Sequence, residues 1–181
     1  TWKTGFGYSQ PLPIFGFQFD MGFDRSSKGT AYDKFFKGLK INIHTYEQGE
    51  SPTKFWVGTE DIVVVEIPQP LQMNGDIRQG YIDGWDYFMA MFGFAVRDKY
   101  FNSYVIDTAT VARRFKAEAY LEGLQRDALA EKKQPRKQLL QMEWGKPNEA
   151  IREIITTAGG IRKNFVLTHW LTEEYVKGFV N

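Results

Sequence analysis

The chain has 181 residues, of which 43% are hydrophobic and 25% charged, and its formal net charge at pH 7 is +1. This length and apolar content are typical of one globular domain and exclude a disordered chain. The balanced charge argues against a strongly basic nucleic-acid coat protein, although a local basic patch is compatible with it. The sequence has no cysteine and two histidines. It therefore offers no disulfide, thiolate metal site, cysteine nucleophile or histidine-rich metal cluster.

The N-terminal half predicts a short helix followed by three strands. The helix-like stretch opens the chain, and the first strand is an apolar run that ends at Asp20. The second strand alternates apolar and polar residues and should be half-exposed, whereas the third is β-branched and should be buried until Pro68 stops it. The predicted ranges are 1–10 for the helix and 13–19, 40–46 and 61–68 for the strands.

The C-terminal half predicts three helices and two further strands. Asp83 is a plausible N-cap for the first helix, and Gly159 and Gly160 should end the last one. A charged break at 131–137 separates the second helix from the third, and the last ten residues should begin a hairpin or edge strand. The predicted helices cover 83–97, 108–130 and 147–158, and the strands cover 102–108 and 164–170.

Strands separated by helices predict a single α/β domain over residues 1–181, with a mainly parallel central sheet flanked by helices. No apolar run is long enough to span a membrane, and we expect a cytoplasmic protein. In such sheets ligands bind at the carboxyl ends of the strands. That rule directs attention to the residues before the first helix and to Asp20, Asp107 and His169.

Asp107 ends the apolar strand "SYVID" and precedes Thr108. An acid at this position can act on a magnesium ion that bridges the β- and γ-phosphates of a nucleotide. Alternatively, Asp107 caps the helix that starts at Thr108. Lys3 and Thr4 form the pair that ends a phosphate-binding loop, where the lysine reaches the phosphates and the hydroxyl binds Mg²⁺. Such a pair also occurs often by chance.

Asp20 and His169 follow the ends of two predicted strands. Asp20 could orient or deprotonate an attacking water molecule, or it could simply open a turn. His169 could sense the γ-phosphate, or it could be an exposed residue at a strand end. His44 has no comparable context, and we interpret it as a structural or surface residue.

A basic segment begins in the last turns of the second C-terminal helix and continues past its end. It could contact nucleic-acid phosphates, or it could be a solvated loop. Its basic residues are Arg126, Lys132, Lys133, Arg136 and Lys137.

Together these features resemble the RecA-like P-loop ATPases, in particular the compact phage-type members of the AAA class linked to recombination and single-strand annealing. The resemblance rests on "WKTGFG" as the end of the Walker A loop, "FGFQFD" as the strand that carries the catalytic acid and "SYVIDT" as Walker B. The segment "MEWGKPNEAIREIITTAGGIRKNFVLTHW" resembles the family most, with its amphipathic helix and its sensor strand ending in His169. The resemblance covers most of the chain and is loosest over residues 25–80.

The resemblance implies an ATP-binding and ATP-hydrolysing protein that requires Mg²⁺, forms a ring or filament and acts on single-stranded DNA. Trp2, Lys3 and Thr4 would then bind phosphate, and Thr4 with Asp107 would hold the metal. Asp20 would replace the catalytic glutamate, and His169 would replace the polar sensor residue. Residues 126–137 lie where this family places a DNA-binding loop.

The chain departs from the family pattern at two residues. Trp2 replaces a glycine of the phosphate loop, and Asp20 is shorter than the usual glutamate. The strand before the phosphate loop is missing, so we expect the native protein to continue before Thr1, and the end at Asn181 looks premature as well. Two alternatives stay open. One is a structural or assembly protein, for example in a virus particle, that keeps the fold without turnover; the other is a motor or chaperone-like member that moves something other than DNA.

Overall fold

The computed structural model describes residues 2–23, 27, 33–72 and 75–169. The hairpin expected over the last ten residues lies outside the described residues. The elements follow one another in this order: α1 (Trp2–Gly7), β1 (Ile14–Gln18), α2 (Asp33–Phe36), β2 (Ile41–Thr45), β3 (Ile62–Glu66), α3 (Tyr81–Arg97), β4 (Ser103–Asp107), α4 (Ala109–Ala130), a 3₁₀ turn (Gln141–Trp144), α5 (Gly145–Gly160) and β5 (Asn164–Leu167).

The five strands form one parallel sheet in the order β2-β3-β1-β4-β5. The expectation of an α/β domain with a parallel sheet flanked by helices is therefore confirmed at this level. In the register of the sheet, Gln18 at the end of β1 lies beside Glu66 of β3 on one side and Asp107 of β4 on the other. The carboxyl ends of the three central strands thus meet at one edge.

The two faces of the sheet carry separate apolar cores, because successive side chains of a strand point to opposite faces. Residues such as Phe15 and Phe17 of β1 pack against α3, α4 and α5. Their neighbours Ile14 and Gly16 face α1, where Tyr8 covers the strand. The three central strands are buried on both faces, which explains their nearly continuous apolar sequences.

Some predicted helix and strand ends need correction. Asp83 does not cap α3, because the helix already begins at Tyr81 and the backbone N–H groups of Gly80, Tyr81 and Ile82 are bound by the Glu122 carboxylate. The predicted helix 147–158 extends over Gly145–Gly160, so the two glycines form its last turn instead of ending it. The strand predicted over 164–170 ends at Leu167.

Within the described ranges, the structure contains no helix that is both long and apolar enough to cross a membrane.

Candidate functional site at the carboxyl edge of the sheet

Polar side chains form a row across the carboxyl ends of four strands. The sheet register aligns Thr45, Glu66, Gln18 and Asp107 in this row. Gln18 and Asp107 are fully buried, and Glu66 is 8% exposed. Buried polar groups need hydrogen-bond partners, so this row is costly to build unless its members bind one another or a ligand.

Asp107 is the centre of this row and accepts three hydrogen bonds from side chains. The Thr4 hydroxyl of α1 donates to Oδ2 at 2.6 Å, and the Gln18 amide of β1 donates to the same oxygen at 3.1 Å. The Thr168 hydroxyl, just after β5, donates to Oδ1. Three separate segments of the chain therefore converge on one buried carboxylate.

Asp107 does not cap α4, which was the alternative interpretation of this residue. The side chain that caps the helix is Thr108, whose hydroxyl accepts a hydrogen bond from the backbone N–H of Val111 at 3.2 Å. The Asp107 carboxylate instead accepts a hydrogen bond from the hydroxyl of Thr4 on α1. This leaves the carboxylate at the edge where a ligand of the sheet would bind.

Lys3 lies next to Thr4 on α1 and reaches the end of β5. Its Nζ donates a 2.7 Å hydrogen bond to the backbone carbonyl of His169. The structure thus brings Lys3, Thr4, Asp107 and the backbone of His169 together. His169 itself is exposed, and the side chain that contacts Asp107 from this segment belongs to its neighbour Thr168.

Asp20 lies two residues after β1 and is half-buried. Its Oδ1 accepts a 3.1 Å hydrogen bond from the backbone N–H of Gly22, the geometry of an aspartate that organises a turn. Burial is the main cause that raises the pKa of Tyr8, and the charge of Asp20 adds a smaller increase, so the Asp20 carboxylate lies within electrostatic range of Tyr8. A turn-forming role and a ligand-facing role are both compatible with this position.

Gln18 and Tyr8 are members of the site that the sequence analysis missed. The Gln18 amide nitrogen also donates to the Tyr8 hydroxyl at 3.1 Å, while its Oε1 is buried and has no hydrogen-bond partner in the described structure. Burial raises the pKa of Tyr8 well above its usual value, and the hydrogen bond from Gln18 only partly offsets this. Tyr8 therefore stays protonated at physiological pH. Gln18 could have been noticed, because it is the only polar residue in the apolar run 13–19.

The side-chain oxygens of Thr4 and Asp107 fit part of the coordination shell of Mg²⁺. Mg²⁺ prefers oxygen ligands, usually one or two from the protein, and takes the others from water and substrate phosphates. The Thr4 hydroxyl and the Asp107 carboxylate offer such a pair. Among the described residues, this edge included, no group of three or more His, Asp or Glu side chains is arranged to hold a metal ion by itself.

The basic residues at the end of α4 and beyond it are largely paired with acidic side chains. Arg126 contacts the buried Glu122 at 2.5 Å, and the other pairs are Lys133–Glu131, Arg136–Glu143 and Lys137–Asp76. Lys132 forms no ion pair with any residue in the described part of the chain. Much of the segment's positive charge is therefore balanced locally.

Trp2 belongs to α1, at the N-terminal side of Lys3.

Comparisons of the chain with protein-family models, with curated proteins and with solved structures gave no match.

Proposed function

We propose that this chain is a RecA-like domain that binds ATP with Mg²⁺, hydrolyses it and acts on single-stranded DNA as a ring or filament. The observation that supports the proposal best is the 2.6 Å hydrogen bond between the Thr4 hydroxyl and Oδ2 of Asp107. The resemblance pairs these two residues as the magnesium-binding groups of Walker A and Walker B. They are 103 positions apart in the chain, and their contact joins α1 to the carboxyl end of β4.

In this proposal each residue at the edge has its own task. Thr4 and Asp107 would hold Mg²⁺, which when bound neutralises charge on the phosphates. The ammonium group of Lys3, now on the carbonyl of His169, is close enough to this edge to contact a phosphate instead. Asp20 would orient the attacking water molecule. If Lys3 moved from the His169 carbonyl to a phosphate, the hydrogen bond between them would break. Nucleotide binding would then be coupled to the segment after β5.

The first experiment measures ATP binding and phosphate release by the full-length protein, with and without single-stranded DNA. Lys3→Ala and Asp107→Asn should both abolish turnover, because the first removes the cation that would contact the phosphates and the second removes the carboxylate that would hold Mg²⁺. Lys146→Ala and Glu149→Gln are matched controls, since both residues are exposed on α5 and lie outside the site and outside residues 126–137. The controls should retain wild-type rates. A wild-type protein that neither binds nor hydrolyses ATP would refute the proposal.

The DNA part of the proposal depends on the resemblance and on the basic segment at 126–137. If Lys132 and Lys133 contact phosphates, replacing both with glutamine should weaken single-stranded DNA binding equally for all sequences. It should also reduce the dependence of the binding constant on salt, by about 0.7 in the logarithmic slope for each lost contact. An unchanged slope would show that DNA, if bound, contacts another surface.

One observation favours the alternative of a structural protein without turnover. Asp107 is fully buried, and both of its carboxylate oxygens already accept hydrogen bonds from the protein. This cluster joins α1, β1, β4 and the end of β5, and it could serve stability alone. Under this alternative, Asp107→Asn would lower the free energy of unfolding, and ATP would not raise the unfolding temperature of the wild-type protein.

A further inference from the structure

A cavity of about 420 Å³ opens between the segment that follows β2 and the first turns of α3. Its size lies within the range of small-molecule sites. Acidic and aromatic side chains dominate its lining, and none of the described residues that line it is a lysine or an arginine. The lining includes Tyr46, Gly49, Glu50, Asp83, Asp86 and Tyr87.

The three carboxylates of this cavity differ in how well they are neutralised. Glu50 is bound by His44, whose Nε2 is 2.7 Å from Oε1, and by the Tyr87 hydroxyl at 3.2 Å. Asp86 lies within electrostatic range of Lys116 on α4. Asp83 has no ion pair or hydrogen bond among the described residues, and it is exposed one helical turn from Asp86. Two like charges at this spacing repel each other unless a cation lies between them.

The hydroxyl group of Tyr46 is a second, independent observation that favours a ligand site in this cavity. The side chain is only 5% exposed, and its buried hydroxyl makes no hydrogen bond of normal geometry in the described structure. Burial raises the pKa of Tyr46, the Gly49 backbone lowers it, and Asp83 and Glu50 raise it, so that the net shift is upward. A neutral hydroxyl thus lies within electrostatic range of the Asp83 and Glu50 carboxylates. Leaving such a group unbonded is costly, and a ligand would remove that cost.

The aromatic wall of the cavity is also suited to a cation. The Tyr46 and Tyr87 rings lie 4.5 Å apart between centroids, at an angle of 36°. Tyrosine ring faces attract ammonium and guanidinium groups, and both kinds of group can donate to carboxylates and to a phenol oxygen. A bare metal ion fits less well, because the described residues hold no arrangement of three or more acidic or histidine side chains for a metal.

We propose that this cavity binds an organic cation, either an alkylammonium or a guanidinium group. Asp83 and Asp86 supply the negative charge, the Tyr46 hydroxyl accepts a hydrogen bond, and the tyrosine rings contact the ligand. The cation could be a free polyamine or the side chain of a lysine or arginine in a polypeptide, since both carry the same group. None of the residues that line the cavity belongs to the proposed nucleotide site.

The test follows backbone amide chemical shifts of the full-length protein while putrescine or agmatine is added. Both should shift the amides of residues 46–50 and 83–87 in a saturable manner, whereas uncharged 1,4-butanediol should not. Asp83→Asn with Asp86→Asn should weaken binding by at least about fivefold, because two charge pairs are lost. Tyr46→Phe should weaken it as well, and the exposed Asp127→Asn on α4 should not change it.

Three results would overturn the proposal: no saturable shift with either cation, equal affinity in the double variant, or displacement of the cations by millimolar Mg²⁺ or Ca²⁺. Urea unfolding of each variant shows whether it remains folded. N-acetyl-arginine amide then distinguishes the two sources of cation. Binding as tight as that of agmatine indicates a polypeptide side chain, and binding of the free amines alone indicates a polyamine. Either of these two results supports a site for organic cations.

Discussion

Thr4 and Asp107 are 103 positions apart in the chain, yet the Thr4 hydroxyl donates a 2.6 Å hydrogen bond to the Asp107 carboxylate inside the protein. Thr4 is 1% exposed and Asp107 is not exposed at all. Their contact fixes the end of β4 against α1, and Gln18 and Thr168 complete the set of donors. The proposal of nucleotide binding rests on the same contact, so its contribution to stability has to be measured separately.

Thr4→Val should lower the free energy of unfolding by about 1–3 kcal/mol, because it removes one donor from a buried carboxylate and leaves the shape of the side chain unchanged. Urea unfolding measures this. Thr156→Val is the matched control, since Thr156 is exposed on α5 and its hydroxyl only contacts the helix backbone. The control should change stability by less than about 0.5 kcal/mol. Equal effects of the two substitutions would show that the Thr4 hydroxyl contributes nothing specific.

Glu122→Gln should destabilise the start of α3. The fully buried carboxylate accepts hydrogen bonds from the N–H groups of Gly80, Tyr81 and Ile82. An amide has one acceptor oxygen in place of two and carries no charge for the helix dipole, so we expect a loss of about 1–3 kcal/mol. Hydrogen exchange of these three amides should accelerate.

Glu149→Gln is the control for this substitution, because Glu149 is exposed on α5. It should leave both stability and exchange at residues 80–82 unchanged. Unaltered exchange in Glu122→Gln would instead mean that water can replace the carboxylate at this helix end.

The strands could be predicted because their signal is local. Apolar and β-branched runs such as 61–68 specify strands that are buried on both faces, and the structure places β3 inside this range. The helix start at Tyr81 could not be predicted, since Glu122 lies 41 positions away from the backbone group that it binds. Asp83 had the right residue type and nearly the right position for a cap, but a distant side chain serves that purpose.

The candidate site was predicted only in part, because some of its contacts join residues that are far apart in the chain. The rule that ligands bind at the carboxyl ends of parallel strands directed attention to Asp107, and the structure brings Lys3 and Thr4 to that edge. Gln18 and Thr168 were missed because nothing in their local sequence shows their contacts with Asp107, which span 89 and 61 positions. Only the sheet register reveals that these side chains face the same carboxylate.

Gly16→Ala should be strongly destabilising. A Cβ atom at Gly16 would lie 2.0 Å from the Tyr8 hydroxyl oxygen and 2.4 Å from two ring carbons, inside the core between α1 and β1. Neither the Tyr8 side chain nor β1 can move easily, because Tyr8 is fully buried and β1 is a central strand. We expect a loss of about 3 kcal/mol or an unfolded protein, measured by urea unfolding.

Two further variants test whether this collision is the cause. In a Tyr8→Ala background, Gly16→Ala should cost less than about 1 kcal/mol, because the colliding atoms are gone. Gly123→Ala on α4 meets no atom within 4 Å and should stabilise the helix by up to about 1 kcal/mol. If Gly16→Ala costs the same with and without the Tyr8 side chain, backbone strain is the cause instead.

Two carboxylates, one just before β3 and one at the end of α3, should control the acid stability of the protein. Glu60 accepts hydrogen bonds from the backbone N–H groups of Val57, Gly58 and Thr59. Asp98 accepts from Lys54, the Trp56 indole and the Tyr100 backbone. Burial alone would raise the pKa of each carboxylate, but these donors outweigh it and lower both pKa values to about 2.

Because both pKa values are lowered in the folded state, the unfolded chain binds protons first as the pH falls. The stabilisation is complete above the ordinary pKa values of 4.5 and 3.8, and it is lost between pH 4.5 and pH 2. Glu60→Gln combined with Asp98→Asn should therefore be less stable than the wild type at pH 7 and lose less stability on acidification. Urea unfolding midpoints between pH 7 and pH 2, followed by tryptophan fluorescence, measure this difference. If the unfolding midpoints of the two proteins fall in parallel as the pH is lowered, other carboxylates cause the acid sensitivity.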